Sequence, residues 1–151
     1  MTIVESSKSA MESTQSNFRL NNFPLERAQF ESSDVFTFLR NTKEKFDLII
    51  LDPPPFARKK TMVTQAARGY KELNRQALLK LNESGLLFTF SCSHHIDSSL
   101  FQKILFAASL ESGKRVQIIE QTKNPIDHPI SIYHPEGEYL KGFLLRMIGN
   151  H

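Results

Sequence analysis

Residues 46–56 read Phe46-Asp47-Leu48-Ile49-Ile50-Leu51-Asp52-Pro53-Pro54-Pro55-Phe56, and this stretch decides the fold. Its first six residues are almost uninterrupted apolar, the pattern of a parallel strand covered on both faces. The strand runs straight into an acid and three prolines. Proline fixes φ and removes a backbone donor, so the turn is stiff. A stiff turn at a strand end can hold the Asp52 carboxylate and main-chain carbonyls against the polar edge of a flat heterocycle. An aromatic such as Phe56 can stack on the ring face. The bland alternative is a proline-rich turn with no ligand.

Outward from this strand, elements alternate. Toward the start, residues 2–5 are a short β-branched run ending on Glu5, and Ser6 or Ser7 can cap a helix over residues 8–20. Asn21-Asn22-Phe23-Pro24 stops that helix. A second strand is expected at residues 28–30, followed by a helix over residues 35–40 capped by Asp34. On the other side, residues 57–64 read as a basic loop. Residues 66–81 read as a helix whose start is unsettled by Gly69. A buried strand follows at residues 85–90, ending at Ser91-Cys92-Ser93-His94-His95. A helix over residues 98–110 closes at Ser112-Gly113, and a strand spans residues 116–121. Residues 125–135 form a loop before a last strand at residues 139–148. The alternation predicts an open α/β sheet with helices on both faces. Two late strands joined without a helix predict an antiparallel strand at one end.

Composition sets wide limits. The 151 residues are 40% hydrophobic and 23% charged, which excludes a disordered chain and fits one domain. The formal charge of +3 permits an anionic partner such as RNA without requiring one. Cys92 is the sole cysteine, so no internal disulfide forms. The start has no basic segment leading into an apolar one, and a cytoplasmic protein is the default expectation.

Ligands of open α/β sheets bind beyond the carboxyl ends of the strands. Glu5, Asp34, Asp52 and Cys92 all follow strand ends in the order above. Each has an ordinary reading: an Asp after a strand caps the next helix, and a Cys is a small buried hydrophobe. Together on one rim they suggest a site. Cys92 is a candidate nucleophile if its thiolate is favoured, with His94 and His95 nearby. One Cys with His94, His95, His128 and His134 matches no zinc spacing, so no metal is expected. Arg58, Lys59 and Lys60, with Arg68 and Lys71 beyond, can clamp phosphates or form a solvated face.

At these residues the chain resembles a known family. LDPPPFARKK (51–60), RGYKELNRQAL (68–78), GLLFTFSCSHHI (85–96) and HPISIYHPEGEYLKGFLLR (128–146) are similar to the catalytic domain of the bacterial 23S ribosomal RNA cytosine-C5 methyltransferases. VESSKSAMESTQSNFRLNN (4–22) and ESSDVFTFLR (31–40) resemble the family's segments around its second and third strands.

The resemblance implies a class I S-adenosyl-L-methionine-dependent enzyme with a Rossmann-like sheet, mostly parallel, and an antiparallel terminal strand. It implies that Glu5 holds the cofactor's ribose hydroxyls, that Asp34 meets the adenine amine beside Val35 and Phe36, and that Asp52 and Pro53 lie at the target base and the cofactor. It implies Cys92 as nucleophile and Asp52 as the acid at the ring nitrogen. The expected RNA contacts are Phe56, Arg58, Lys59 and Lys60.

One feature of the family is missing. None of the six glycines precedes the first helix or forms Gly-x-Gly, so the family's first strand and glycine-rich turn are expected to be absent from residues 1–151, leaving a partial domain. A gap then opens between the strands at Ile3 and Ile50, to be closed by the chain itself, a second copy or a partner carrying the missing N-terminal part. Two alternatives remain. One is a base-nitrogen methyltransferase that uses Asp-Pro-Pro-x-Phe with Cys92 a bystander. The other is an inactive or partner-dependent fragment.

Overall fold

The computed structural model describes residues 1–57 and 59–150. The chain divides into two compact units, residues 1–43 and 44–151.

The first unit is a strand–helix–strand–helix run: β1 (Thr2–Val4), α1 (Lys8–Leu20), β2 (Gln29–Glu31) and α2 (Val35–Asn41). β1 and β2 pair in parallel, with Ile3 opposite Phe30. Both helices start as the sequence predicts. The Ser7 side chain accepts from the Ala10 amide at α1, and the Asp34 side chain accepts from the Thr37 amide at α2. Each cap satisfies one of the amides that a helix start leaves without a partner. Phe18 of α1 packs edge-on to Phe30 with ring centroids 5.5 Å apart, tying the helix to its strand.

The second unit holds β3 (Phe46–Leu51), α3 (Val63–Leu79), β4 (Leu81–Ser91), α4 (Ser98–Ser112), β5 (Lys114–Thr122) and β6 (Lys141–Asn150). The strands lie in the order β3-β4-β6-β5. β3 and β4 are parallel, and β6 is antiparallel to both β4 and β5. Three strands therefore run one way. The antiparallel one, last in the chain, slots between β4 and β5. The fold is the α/β Rossmann-like methyltransferase arrangement, mostly parallel with an antiparallel terminal strand.

The strands and helices differ from the sequence expectation in instructive places. α3 begins three residues early and runs through Gly69. A side chain at 69 would press on the Phe56 ring at 3.2 Å, so the helix carries glycine where that ring seats. Leu81 belongs to β4 rather than α3, because its backbone pairs with Phe46.

β3 carries the exposure expected beside the gap at Ile50. Its apolar run predicts cover on both faces, yet Leu48 is 51% and Ile50 62% exposed. β3 is an edge strand in this sheet. Helices α3 and α4 pack on each other, with Tyr70 edge-on to Phe101 at 5.5 Å, and they cover one face. Leu87, Phe143 and Leu145 are buried on that face. The opposite face carries Leu48 and Ile50 in register with Leu86 and Phe88. The expectation of helices on both faces does not hold within this unit. The run is that of a strand suited to cover on both faces; in this unit the helices cover one face, and Leu48 and Ile50 stand on the other.

Among the described residues, β1–β2 and the four strands β3-β4-β6-β5 form separate sheets.

Candidate active site

In the first unit, β1 and β2 are parallel, so Glu5 and the turn before Asp34 leave the sheet from the same edge. The Glu5 amide donates to the Glu31 carbonyl at 3.1 Å, extending the ladder by one bond. The half-buried Glu5 carboxylate accepts from the Ser7 amide at 2.6 Å through Oε1. Asp34 accepts from the Thr37 amide at 3.0 Å and the Thr37 hydroxyl at 3.3 Å, both through Oδ1. Val35 and Phe36 are half-buried beside it. Each acid thus spends one oxygen on nearby backbone. A carboxylate offers about four acceptor positions over two oxygens, so capping does not exhaust either group.

In the second unit, the carboxyl ends of β3 and β4 are adjacent because these strands pair in parallel, Leu51 against Thr89. Asp52-Pro53 and Ser91-Cys92-Ser93 are therefore neighbours, as the sequence predicts. The Cys92 thiol donates toward the Pro53 carbonyl at 3.8 Å. Around it lies an open cavity of about 620 Å³ lined by Pro55, Ala57, Cys92, His94, His95 and Tyr139.

The thiol turn is fixed on both sides of Cys92. Ser93 is fully buried. Its hydroxyl accepts from the Ala57 amide at 3.3 Å and shares a hydrogen bond with the Tyr70 hydroxyl at 3.0 Å. Its carbonyl accepts from the Ile96 amide at 3.1 Å and from Lys141 Nζ at 2.7 Å. Burial pushes the Cys92 thiol pKa up, and the Asp52 charge pushes the same way. A backbone hydrogen bond and the Lys141 ammonium oppose them. The net direction is upward, so the resting group is a neutral thiol at pH 7.

The other expected site residues stand in varied settings. Phe56 is half-buried, its ring packed against Tyr70 of α3 with centroids 4.5 Å apart. Lys59 and Lys60 are exposed at the start of the 3-10 turn before α3. Arg58 lies outside the described residues. Lys71 is drawn to Glu111 of α4 at 2.6 Å. Asp52 is exposed, and Pro53 half-buried, at the end of β3.

Two residues escaped the sequence reasoning. Tyr139 lines the cavity, its ring 5.2 Å from His94, and its hydroxyl shares a hydrogen bond of 3.2 Å with His128. Lys141 reaches the thiol turn from the first residue of β6. Their only sequence signal is a Tyr and a Lys bracketing a strand start, which is too common to stand out.

Comparison with known proteins bears on this arrangement. Residues 1–120 match the family model described as the methyltransferase small domain. The chain is 47% identical over 148 residues to ribosomal RNA large subunit methyltransferase I of Tolumonas auensis, covering 96% of this chain and 37% of that protein. It is 45% identical to the protein of the same name from Shigella dysenteriae, with the same coverage. The chain therefore spans well under half the length of these curated relatives. A methyltransferase solved in complex with SAH superposes with a TM-score of 0.79 at 26% identity, over 96% of this chain and 38% of that one. Sequence motifs, strand order and the family match agree, and the chain belongs to the methyltransferase small domain family.

Proposed function

We propose that this chain carries the methyl-transfer part of an S-adenosyl-L-methionine-dependent ribosomal RNA methyltransferase, and that its target is carbon 5 of a cytosine. The observation that carries the reading is the meeting of the Cys92 thiol with the Asp52-Pro53 turn at the mouth of a cavity, the thiol 3.8 Å from the Pro53 carbonyl. The names of the relatives, which are ribosomal RNA large subunit methyltransferases, support the substrate class.

The donor set suits the cofactor. Glu5 and Asp34 each retain a carboxylate oxygen beyond the one that caps the backbone, which matches a ribose diol and an adenine amine, with Val35 and Phe36 as apolar neighbours of the ring. When bound, S-adenosyl-L-methionine supplies an electrophilic methyl group on a sulfonium.

Carbon 5 of cytosine is a weak nucleophile, and the chain's own residues correct this. Cys92 gives its proton to the ionised Asp52 carboxylate as its sulfur bonds carbon 6. The ring electrons move toward the ring nitrogen and carbon 5. Asp52, exposed at the end of β3, hands the proton taken from the thiol to the ring nitrogen and so stabilises that charge. Carbon 5 takes the methyl group. Loss of the carbon 5 proton to a base then restores the double bond and expels the Cys92 thiolate. The rings of Tyr139 and His94, both lining the cavity, give the base flat surfaces to stack on. Exposed Lys59 and Lys60 follow the proline turn and supply charge for phosphates.

The test is nucleoside analysis of unmodified large-subunit ribosomal RNA after incubation with the protein and cofactor. Wild type should yield 5-methylcytidine, and Cys92→Ser should lose at least about 1000-fold in rate, the scale of removing a nucleophile. Methylation at a base nitrogen, undiminished in Cys92→Ser, would establish the nitrogen chemistry in its place.

A further inference from the structure

Lys141 is 8% exposed, and among the described residues no carboxylate lies within ion-pair distance of it. A buried ammonium without a carboxylate partner is costly unless its N–H groups are satisfied. Two of its three donors are spent on main-chain carbonyls, Ser93 at 2.7 Å and Tyr139 at 2.6 Å. Those carbonyls belong to the two segments that frame the cavity, the thiol turn and the lead into β6.

The register leaves little choice in this placement. Lys141 stands directly opposite Ser91 in the β4–β6 ladder. At the next position, Gly142, any side chain would collide with Thr122 Oγ1 and the Phe90 ring, so β6 lies close against both neighbours. Lys141 thus enters on the helix-covered face, beside the residue that precedes Cys92.

We propose that Lys141 is a positioning residue for Cys92: its ammonium ties the 91–95 turn to the Tyr139 segment and keeps a positive charge on the turn that carries the reacting sulfur. This deepens the thiolate reading above and rests on it. A neutral side chain of similar length would fill the space, and a hydroxyl could donate to one of the two carbonyls. The ammonium alone does both and also favours a sulfur anion. The charges that act on this pair are Asp52 at the end of β3, which disfavours the thiolate, and Asp97 at the start of α4, which favours the ammonium. His94 and His95 stand on the same turn and line the cavity. Burial moves the Lys141 pKa down, while Cys92 and Asp97 hold it up.

The experiment is the pH dependence of Cys92 alkylation by iodoacetamide in the purified chain, with no RNA or cofactor. Lys141→Met should move the midpoint to higher pH and slow alkylation at pH 8 by about 3- to 10-fold, up to one pKa unit of lost charge interaction. Lys141→Arg should stay close to wild type, and Asp52→Asn should move the midpoint the other way. A purely structural role would change the limiting rate at high pH and leave the midpoint in place, and that result overturns the proposal.

Should Lys141→Met fail to fold, the coupling is read from the other partner. The Lys141 side-chain titration followed by carbon NMR should fall to lower pH in Cys92→Ser, and an unmoved midpoint overturns the proposal equally. The two readings separate cleanly. A shifted alkylation profile without 5-methylcytidine sinks the cytosine reaction and keeps the Lys141–Cys92 pair. An unshifted profile with 5-methylcytidine does the reverse.

Discussion

The two units build their strand-end groups by opposite means. In residues 1–43, Glu5 and Asp34 are held by amides two and three positions away in sequence. In residues 44–151, the Cys92 turn is held by Pro53, Ala57, Tyr70 and Lys141, at separations of 39, 36, 23 and 48 residues. A group fixed by its own turn survives changes elsewhere in the fold. A group fixed by distant elements depends on the packing that brings them together.

That contrast can be broken or sharpened by mutation, and the largest effect should come from Tyr70. Its side chain is fully buried, touching Phe56 and Phe101, and its hydroxyl bonds Ser93. Tyr70→Ala should cost about 3–5 kcal/mol in urea unfolding, the scale of deleting a core aromatic. It should also alter Cys92 reactivity through the freed Ser93. Tyr70→Phe should keep the packing and cost about 1 kcal/mol, the worth of one hydrogen bond. If the alanine variant unfolds no more easily than the phenylalanine one, the ring row does not organise the thiol turn.

The thiol itself gives the next test. Burial raises its pKa, so the proton is held more tightly than in an exposed cysteine. Thiolate therefore accumulates only as pH rises, and alkylation should reach its midpoint at a higher pH than for a short cysteine peptide. A midpoint below the peptide's would mean that the positive charge outweighs burial.

The smallest effect is expected in the first unit. Asp34→Ala removes the α2 cap and should cost about 1 kcal/mol by thermal or urea unfolding. Cys92 alkylation should be unchanged, since the cap acts over three residues. A variant that shifts the thiol profile would show that the acid is not locally held after all.

The sequence carried its information unevenly, and particular residues show where. Ser7, Asp34 and Gly113 mark helix ends legibly because capping is chemistry between near neighbours. The Asp-Pro-Pro turn after β3 is legible because proline restricts its own backbone. The packing of Phe56 was not legible because aromatics serve cores and ligands alike. Only the fold shows Gly69 making room for its ring beside Tyr70.

By itself, then, the sequence determined the strand–helix order, the helix caps and the placing of Asp52 and Cys92 at strand ends. These follow from periodicity and from forces that act within about four residues. Tertiary structure alone decided that β3 lies at a sheet edge with Ile50 exposed, that Tyr139 lines the cavity, and that Lys141 is buried against the thiol turn. An apolar strand reads as covered on both faces, and only the fold shows which face the helices of this unit leave bare. A lysine reads as a surface residue until antiparallel register sets it opposite Ser91, where two carbonyls replace the water it has lost.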